Sequence, residues 1–207
     1  MRLSRNELKT LMKNKMMAAG LKEEHAEVTA EILTWSHERG YASHGAVRVE
    51  YYSERIFKGG ITTEPNFTWK ETGPCSGILD GDNGIGYVVA QEGMKKAIEM
   101  AKKNGVAVVG MANMSHSGSI GYYSEMAAKE DLVAITFCQS DPMAVPYGGT
   151  EPYYGTNPIS FAAPTADERT VVFDMATAVQ ARGKILDKPS KGASIPPDSA
   201  VDGNGAP

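Results

Sequence analysis

The chain has 207 residues, of which 42% are hydrophobic, 22% charged and 8% aromatic, with a formal net charge of -4 and a pI near 5.6. These values are ordinary for a globular protein of one or two domains and exclude a disordered chain or a fibre. No basic block is present, which argues against a nucleic-acid partner, and the apolar runs are far too short to span a membrane.

The N-terminal 20 residues carry lysines and methionines but no continuous apolar segment, and Glu7 interrupts them, so a targeting peptide is not predicted. Ser4 and Glu7 instead have the spacing of a capping box that opens an amphipathic helix. The two cysteines, Cys75 and Cys138, form no CxxC pair. This usage predicts reduced thiols and a cytoplasmic location.

The first 60 residues are predicted to be helical. Helices are expected at about 4–17, 23–38 and 45–57. The first should bury an apolar face of Leu8, Leu11 and Met12, and the third should stop at the glycine pair 59–60.

After a loop around residue 65 the pattern becomes an alternation of strands and helices. Strands are predicted at 76–80, 106–111, 132–138 and 170–174, and helices at 87–104, 120–129 and 176–186. The second and third strands should be fully buried because they are apolar throughout. The Pro- and Gly-rich segment 141–157 is predicted to be a long, functional loop. The fold class is therefore predicted to be mixed α/β, with a helical N-terminal region and a strand–helix core.

The segment 43–52, SHGAVRVEYY, places His44, Arg48 and Tyr52 four residues apart, so that in a helix they would share one face. An imidazole exchanges protons near neutral pH, and a guanidinium binds a carboxylate through two parallel hydrogen bonds. The trio fits a small polar acid that reacts at a C–OH or C=O group. Plainer alternatives are a solvated arginine and a packing tyrosine, and Tyr51 competes with Tyr52 for the same role.

A second histidine, His116, lies in the small-residue loop 114–118. Like His44, it is flanked by serine and glycine at the boundary of an element, where the backbone can approach a ligand. His25 and His37 fall inside predicted helices and are expected to be surface or packing residues. His44 and His116 are therefore the candidate catalytic histidines.

Other catalytic and binding motifs fit the sequence less well. Ser115 and Ser117 flank His116, but a serine hydrolase would need a G-x-S-x-G turn, and adjacent residues seldom form a nucleophile–base pair. The glycine-rich segment 80–86 fails as a calcium loop and as a dinucleotide fingerprint, and is expected to be a turn. No phosphate-binding loop appears, and no histidine–cysteine spacing predicts a metal site.

Two segments leave predicted strands with polar residues. Ser140 follows the strand at 132–138, and Asp174, Met175 and Ala176 end the last strand. In open α/β structures, ligands bind beyond the carboxyl ends of strands. Both segments are candidate cofactor contacts, with a simple strand exit as the alternative for each.

Several of these segments together resemble the malate/L-lactate dehydrogenase family that lacks a Rossmann fold. The resemblance is carried by 43–52 (SHGAVRVEYY), 71–76 (ETGPCS), 104–110 (NGVAVVG), 138–143 (CQSDPM), 153–158 (YYGTNP) and 173–177 (FDMAT), and runs along the whole chain. Within the family, CQSDPM and RVEYY are most similar to the branch that acts on ureidoglycolate.

The resemblance implies an NAD-binding core of the non-Rossmann type and the NAD-dependent oxidation of (S)-ureidoglycolate to oxalurate in allantoin degradation, with NADP not excluded. It implies that His116 is the acid/base residue, with His44 as the second catalytic candidate. The implied substrate contacts are Ser43, His44, Arg48, Tyr52, Thr156 and Asn157. The implied cofactor contacts are Ser140, Asp174, Met175 and Ala176.

Members of the family continue well past residue 207. The resemblance implies a helical region at 1–75 for substrate binding and oligomerisation. Because family members are longer, it implies that the α/β cofactor-binding domain at 76–207 is incomplete. It also implies a homo-oligomer that is a dimer or larger. Two alternatives stay open. The chain could serve a dehydrogenase of another 2-hydroxy acid (malate, lactate, sulfolactate or a diketo-sugar acid), or it could be a non-catalytic piece of such an enzyme.

Overall fold

The computed structural model describes residues 2–167, 169–190 and 192–206. It confirms the mixed α/β class. The helices are α1 (Arg5–Ala19), α2 (Glu23–Glu38), α3 (Arg48–Phe57), α4 (Gly86–Asn104), α5 (Gly121–Ala128) and α6 (Arg182–Ser190). The strands are β1 (Thr68–Gly73), β2 (Ser76–Gly84), β3 (Val108–Met114), β4 (Ala134–Phe137), β5 (Ile159–Pro164) and β6 (Thr170–Met175).

The first helix begins at the predicted capping box. The Glu7 amide donates to Ser4 Oγ, and the Glu7 carboxylate accepts from the Ser4 amide at 2.8 Å. Met12 and Met16 are buried four residues apart, which places them on one face of α1. Leu11 was predicted on this face, but it is 60% exposed because it lies about 100° around the helix from Met12.

The predicted helix at 45–57 is interrupted at its start. Ala42–His44 form a short 3₁₀ helix, residues 45–47 form a turn, and α3 begins only at Arg48. The cause is close packing against α2, because a Cβ on Gly45 would lie 2.8 Å from His37 Nδ1. His44 and Arg48 therefore do not share one helical face, and that part of the prediction is wrong.

Two three-stranded sheets replace the single alternating core. In the first sheet, β1 pairs antiparallel with β2, and β2 pairs parallel with β3. The second sheet has the order β4-β5-β6 and is antiparallel throughout. The sequence pattern did not predict β1 or β5. The proposed division at residue 75 falls inside the β1–β2 hairpin, and it stays a prediction.

The predicted burial of β3 and β4 is wrong. Val108 on β3 is 68% exposed, and Ile135 and Phe137 on β4 are 59% and 71% exposed. Each strand packs one face on a helix, β3 on α4 and β4 on α5. Among the residues that the structure describes, the opposite faces remain open.

The directions of strands β4 to β6 bring the loops that carry several candidate residues to one edge of the second sheet. Because β5 runs antiparallel to both neighbours, the ends of β4 and β6 and the start of β5 lie at one edge of the sheet. The long loop predicted at 141–157 is present, and the segment that contains it leaves and returns at this edge. The last helix begins at 182 instead of 176, because Thr177 is held by hydrogen bonds to Thr156. No helix in the described ranges is long and apolar enough to cross a bilayer.

Candidate active site

His116 and His44 come from distant parts of the sequence and stack in the folded chain. Their ring centroids are 5.8 Å apart, with 29° between the ring planes. Hydrogen bonds hold the loop of His116 on both sides. Ser115 Oγ accepts from the Gly86 amide at the start of α4 (2.9 Å), and the carbonyl of Ser117 accepts from the Tyr123 hydroxyl (2.6 Å). The structure thus brings the two candidate histidines together.

The Nδ1 atom of His116 has two partners on the protein side. The Tyr52 hydroxyl lies 2.5 Å from it, and the Gly118 amide donates to it at 3.2 Å. A backbone amide can only donate, so this arrangement favours an unprotonated Nδ1 with the proton on Nε2. Nε2 lies on the other edge of the ring, where it can meet a ligand.

The two neighbouring tyrosines have different surroundings. Tyr52 is fully buried, and its hydroxyl contacts both His116 and the Tyr87 hydroxyl, the latter at 3.1 Å. Tyr51 is 40% exposed and accepts a hydrogen bond from Arg55. Tyr52 is therefore the tyrosine of the site. It stands behind His116, and its predicted role as a substrate ligand stays a prediction.

Both histidines are held neutral. Burial, followed by the positive charge of Arg48, lowers the pKa of His44 to about 4. Burial, followed by His44 and Arg48, also lowers the pKa of His116, although part of this residue is exposed to solvent. A neutral imidazole at physiological pH can accept a proton, which the oxidation of an alcohol requires.

Arg48 opens α3 and is oriented by the turn before it. Its Nε donates to the carbonyl of Ser43 at 2.7 Å, and the Ser43 hydroxyl lies 3.0 Å from His44 Nδ1. The start of α6 packs here, because a Cβ on Gly183 would lie 2.7 Å from Ser43 Cβ and 3.7 Å from Arg48 Nη2. Arg48 takes part in none of the ion pairs found within 4.0 Å in the described part of the chain, so its Nη edge remains for an acid.

Ser140, Thr156 and Asn157 form a second group at the edge of the β4–β6 sheet. The Ser140 amide donates to Asn157 Oδ1 and the Asn157 amide donates to Ser140 Oγ, both at 3.1 Å. The Ser140 and Thr156 hydroxyls are also 3.1 Å apart. Gly155 permits this packing, since a Cβ there would lie 2.3 Å from the Ser140 carbonyl oxygen. The structure thus brings together three residues predicted from two separate segments.

The three predicted contacts at the end of β6 have separate surroundings. Asp174 accepts a hydrogen bond from the amide of Gly121, the first residue of α5, at 2.8 Å, and burial raises the pKa of its carboxyl. Met175 is 45% exposed on the opposite face of the strand, and Ala176 is half-buried. The role of these three residues in cofactor binding stays a prediction.

One residue that sequence reasoning did not name holds the second group in place. Thr177 donates from its amide to the Thr156 carbonyl at 2.9 Å, and its hydroxyl donates to the Asn157 carbonyl at 3.0 Å. Only the conspicuous segment FDMAT could have pointed to Thr177.

The second group suits a neutral ligand with a carboxamide. Its side chains offer two hydroxyls and one amide, and Asn157 uses Oδ1 for Ser140, so its Nδ2 end faces away from that residue. A nicotinamide carboxamide both donates and accepts hydrogen bonds, as these groups do. The residues present therefore fit the nicotinamide part of NAD.

Comparisons with known proteins agree on one family. The sequence matches the malate/L-lactate dehydrogenase family over residues 3–207. It is 56% identical over 207 residues to "Ureidoglycolate dehydrogenase (NAD(+))" of Escherichia coli O157:H7, covering all of this chain and 59% of that protein. It is 32% identical over 205 residues to "(2R)-3-sulfolactate dehydrogenase (NADP(+))" of Chromohalobacter salexigens, covering 99% of this chain and 61% of that protein.

Solved structures lead to the same family. The crystal structure of malate dehydrogenase from Entamoeba histolytica superimposes with a TM-score of 0.95 at 31% identity, covering all of this chain and 58% of that one. The chain thus spans about three fifths of the length of the relatives it matches. By sequence over its whole length and by fold, the chain belongs to the malate/L-lactate dehydrogenase family.

Proposed function

We propose that this chain serves the NAD-dependent oxidation of (S)-ureidoglycolate to oxalurate, a step of allantoin degradation, in the cytoplasm. The observation that carries the proposal is the neutral pair His44–His116 beside the unpaired guanidinium edge of Arg48. The 56% identical relative, named as an NAD-dependent ureidoglycolate dehydrogenase, supports this substrate and this cofactor.

Each residue of the site has one task in this reaction. Arg48 pairs through its Nη edge with the substrate carboxylate, which fixes the neighbouring carbon that bears the hydroxyl. His116 takes the hydroxyl proton at Nε2 in the tautomer whose own proton is on Nδ1, with the Tyr52 oxygen as the nearest acceptor for that proton. His44, stacked on it, contacts the substrate with Ser43. Ser140 binds the nicotinamide carboxamide, and Thr156 and Asn157, which are hydrogen-bonded to Ser140 and were predicted as substrate contacts, bind the substrate and the same carboxamide. NAD, when bound, accepts the hydride released from the carbon.

A panel of acids at fixed NAD concentration tests the substrate. We expect ureidoglycolate to give the highest kcat/KM by NADH absorbance, above malate, lactate and sulfolactate. A second candidate is a dehydrogenase of another of these acids, which the fold shared with a malate dehydrogenase favours. A higher kcat/KM for malate, lactate or sulfolactate would move the assignment to that acid. Replacing NAD by NADP in the same assay tests the cofactor.

Replacing Arg48 by lysine should raise the KM for ureidoglycolate by about 10-fold or more, because one point charge replaces a two-bond clamp. The smaller ammonium also loses the Nε bond to the Ser43 carbonyl that orients the side chain. Steady-state kinetics measures the effect. Arg55→Lys is the matched control, since Arg55 lies on the same helix but binds the exposed Tyr51. An unchanged KM in Arg48→Lys would contradict the clamp.

We further propose a homo-oligomer in which a second copy covers the open face of the β4–β6 sheet. This face carries only apolar exposed side chains in neighbouring registers: Ile135, Phe137, Phe161, Val171, Phe173 and Met175. Apolar patches of this kind mark interaction sites. Light scattering on the purified chain should give the mass of a dimer or larger at micromolar concentration, and Phe161→Asp should lower it. A monomer in the wild type would contradict the proposal.

A further inference from the structure

The last helix of the described chain packs against the turn that carries the acid-binding residues. Helix α6 packs on the 3₁₀ helix Ala42–His44, where Gly183, the second residue of α6, lies against Ser43. The segment that leads to α6 is fixed at its other end, because the Thr177 hydroxyl donates to the Asn157 carbonyl. Residues 177–183 therefore run between the two groups of the candidate site.

Ser43 holds two residues of the site at once. Its carbonyl accepts from Arg48 Nε at 2.7 Å, and its hydroxyl lies 3.0 Å from His44 Nδ1. Among the described hydrogen bonds, the one from Nε is the only bond that the Arg48 side chain makes to the protein. A displacement of the Ser43 backbone by about 1 Å would stretch this bond beyond hydrogen-bonding range.

Glycine at position 183 is required by space and not by backbone conformation. Its φ is not among the positive values found at other glycines of the described chain. A Cβ there would lie 2.7 Å from Ser43 Cβ, which is far inside the optimal separation of two carbon atoms. The serine Cβ is bonded to the backbone, so rotation of the side chain cannot relieve the clash. Because alanine favours a helix over glycine, packing on Ser43 is the property that glycine supplies here.

The clash would fall on Ser43 and not on the arginine. The same Cβ would lie 3.7 Å from Arg48 Nη2, which is an ordinary van der Waals contact. A larger side chain at 183 would therefore leave the guanidinium free of direct overlap and press the serine away from α6. The carbonyl that accepts from Nε would move with it.

We propose that Gly183 is a positioning residue of the acid site, which lets α6 seat against Ser43 and thereby fixes the Arg48 guanidinium. Gly183 acts only through Ser43 and touches no substrate. The effect on acid binding rests on the proposed function, whereas the effect on the bond between Arg48 and Ser43 does not.

The first test is Gly183→Ala. It should raise the KM for ureidoglycolate by about 10-fold, because the Arg48 clamp loses the bond that orients it, and lower kcat much less. Gly203→Ala is the control, since no atom lies within 4 Å of its Cβ position, and it should keep both constants. An unchanged KM in Gly183→Ala, or an equal rise in both variants, would overturn the proposal.

Ser43→Gly tests the contact itself. It removes the Cβ that the new methyl group would meet and keeps the carbonyl that Arg48 needs. Because it also removes the hydroxyl beside His44, the double variant is compared with Ser43→Gly alone. Adding Gly183→Ala to Ser43→Gly should leave the KM nearly unchanged, since the two substitutions are coupled through one contact. The same rise in KM on both backgrounds would overturn the proposal.

Folding of the variants is measured by thermal unfolding. If Gly183→Ala does not fold, recovery of the folded state in the double variant supports the proposal, because only relief of the clash with Ser43 restores it. Failure of both variants to fold, beside a folded Ser43→Gly, would overturn the proposal.

A measurement without substrate or cofactor separates this inference from the proposed function. Proton exchange of Arg48 Nε–H with water, followed by NMR, reports on the bond to the Ser43 carbonyl, and Arg48→Lys assigns the signal. Exchange should be about 10-fold faster in Gly183→Ala than in the wild type, and equal in the double variant and Ser43→Gly. If the wild type oxidises no hydroxy acid, this result still decides the role of Gly183. An unchanged exchange rate in Gly183→Ala would overturn it.

Discussion

Replacing His116 by alanine should lower kcat for ureidoglycolate oxidation by about 100- to 10,000-fold, the usual contribution of a positioned acid/base group. Nε2 of His116 has no protein partner in the described hydrogen bonds, while Nδ1 is held by Tyr52 and Gly118. Nε2 of His44 is equally free, and the choice of His116 comes from the family resemblance. The KM for the acid should change little, because the carboxylate binds Arg48. Steady-state NADH formation with wild type and variant measures both constants.

The matched control for this substitution is His25→Ala. His25 is also a partly buried histidine whose pKa is lowered by burial, but it stacks on Phe67, with 6.2 Å between ring centroids, and does not contact His116. This variant should lose stability and keep kcat. Equal loss of kcat in both variants, or full activity in His116→Ala, would remove His116 from the reaction.

The pKa of His116 also sets the pH dependence of the rate. Burial and the neighbouring His44 and Arg48 lower this pKa, so the imidazole is already unprotonated well below its ordinary pKa. Oxidation needs the unprotonated base. The acid limb of kcat/KM that comes from His116 should therefore lie below pH 6.5, the ordinary value for histidine.

Helices α1, α2 and α4 were predictable because their signals are local. Ser4 and Glu7 cap α1, and Gly105 ends α4 with a φ of 83°, a conformation that glycine adopts without strain. Each signal lies within a few residues of the boundary it sets. The strands were less predictable, since β1 is polar and mostly exposed and exists through its pairing with β2.

In the candidate site, too, some residues were marked by the local sequence, whereas others are placed by contacts with distant parts of the chain. Serine and glycine beside His44 and His116 marked both histidines in the sequence. The break between His44 and Arg48 could not be predicted, because it depends on the contact of Gly45 with His37 on another helix. Tyr87 was also missed, since it lies 35 residues from Tyr52 in a helix whose pattern predicts only a core position.

Gly86→Ala should strongly reduce both stability and activity. A Cβ on Gly86 would lie 2.0 Å from the Ser115 carbonyl oxygen and 2.6 Å from that of His116. These are backbone atoms, so no side-chain rotation can relieve the clash. The Gly86 amide also donates to Ser115 Oγ, so the start of α4 cannot move away without breaking that bond. The loop of His116 must therefore shift.

Gly86→Ala has two opposite effects on the free energy of unfolding, and the destabilising steric effect should be the larger. Alanine favours a helix over glycine by about 1 kcal/mol, whereas overpacking typically costs about 1–3 kcal/mol and more where backbone must move. A displacement of His116 by about 1 Å can cost about 100-fold in rate. Chemical denaturation and kcat measure the two losses. Gly110→Ala on β3 is the control, since its Cβ would meet its nearest neighbour at 3.6 Å, and it should retain both properties. Wild-type stability and rate in Gly86→Ala would show that the His116 loop does not depend on close contact with α4.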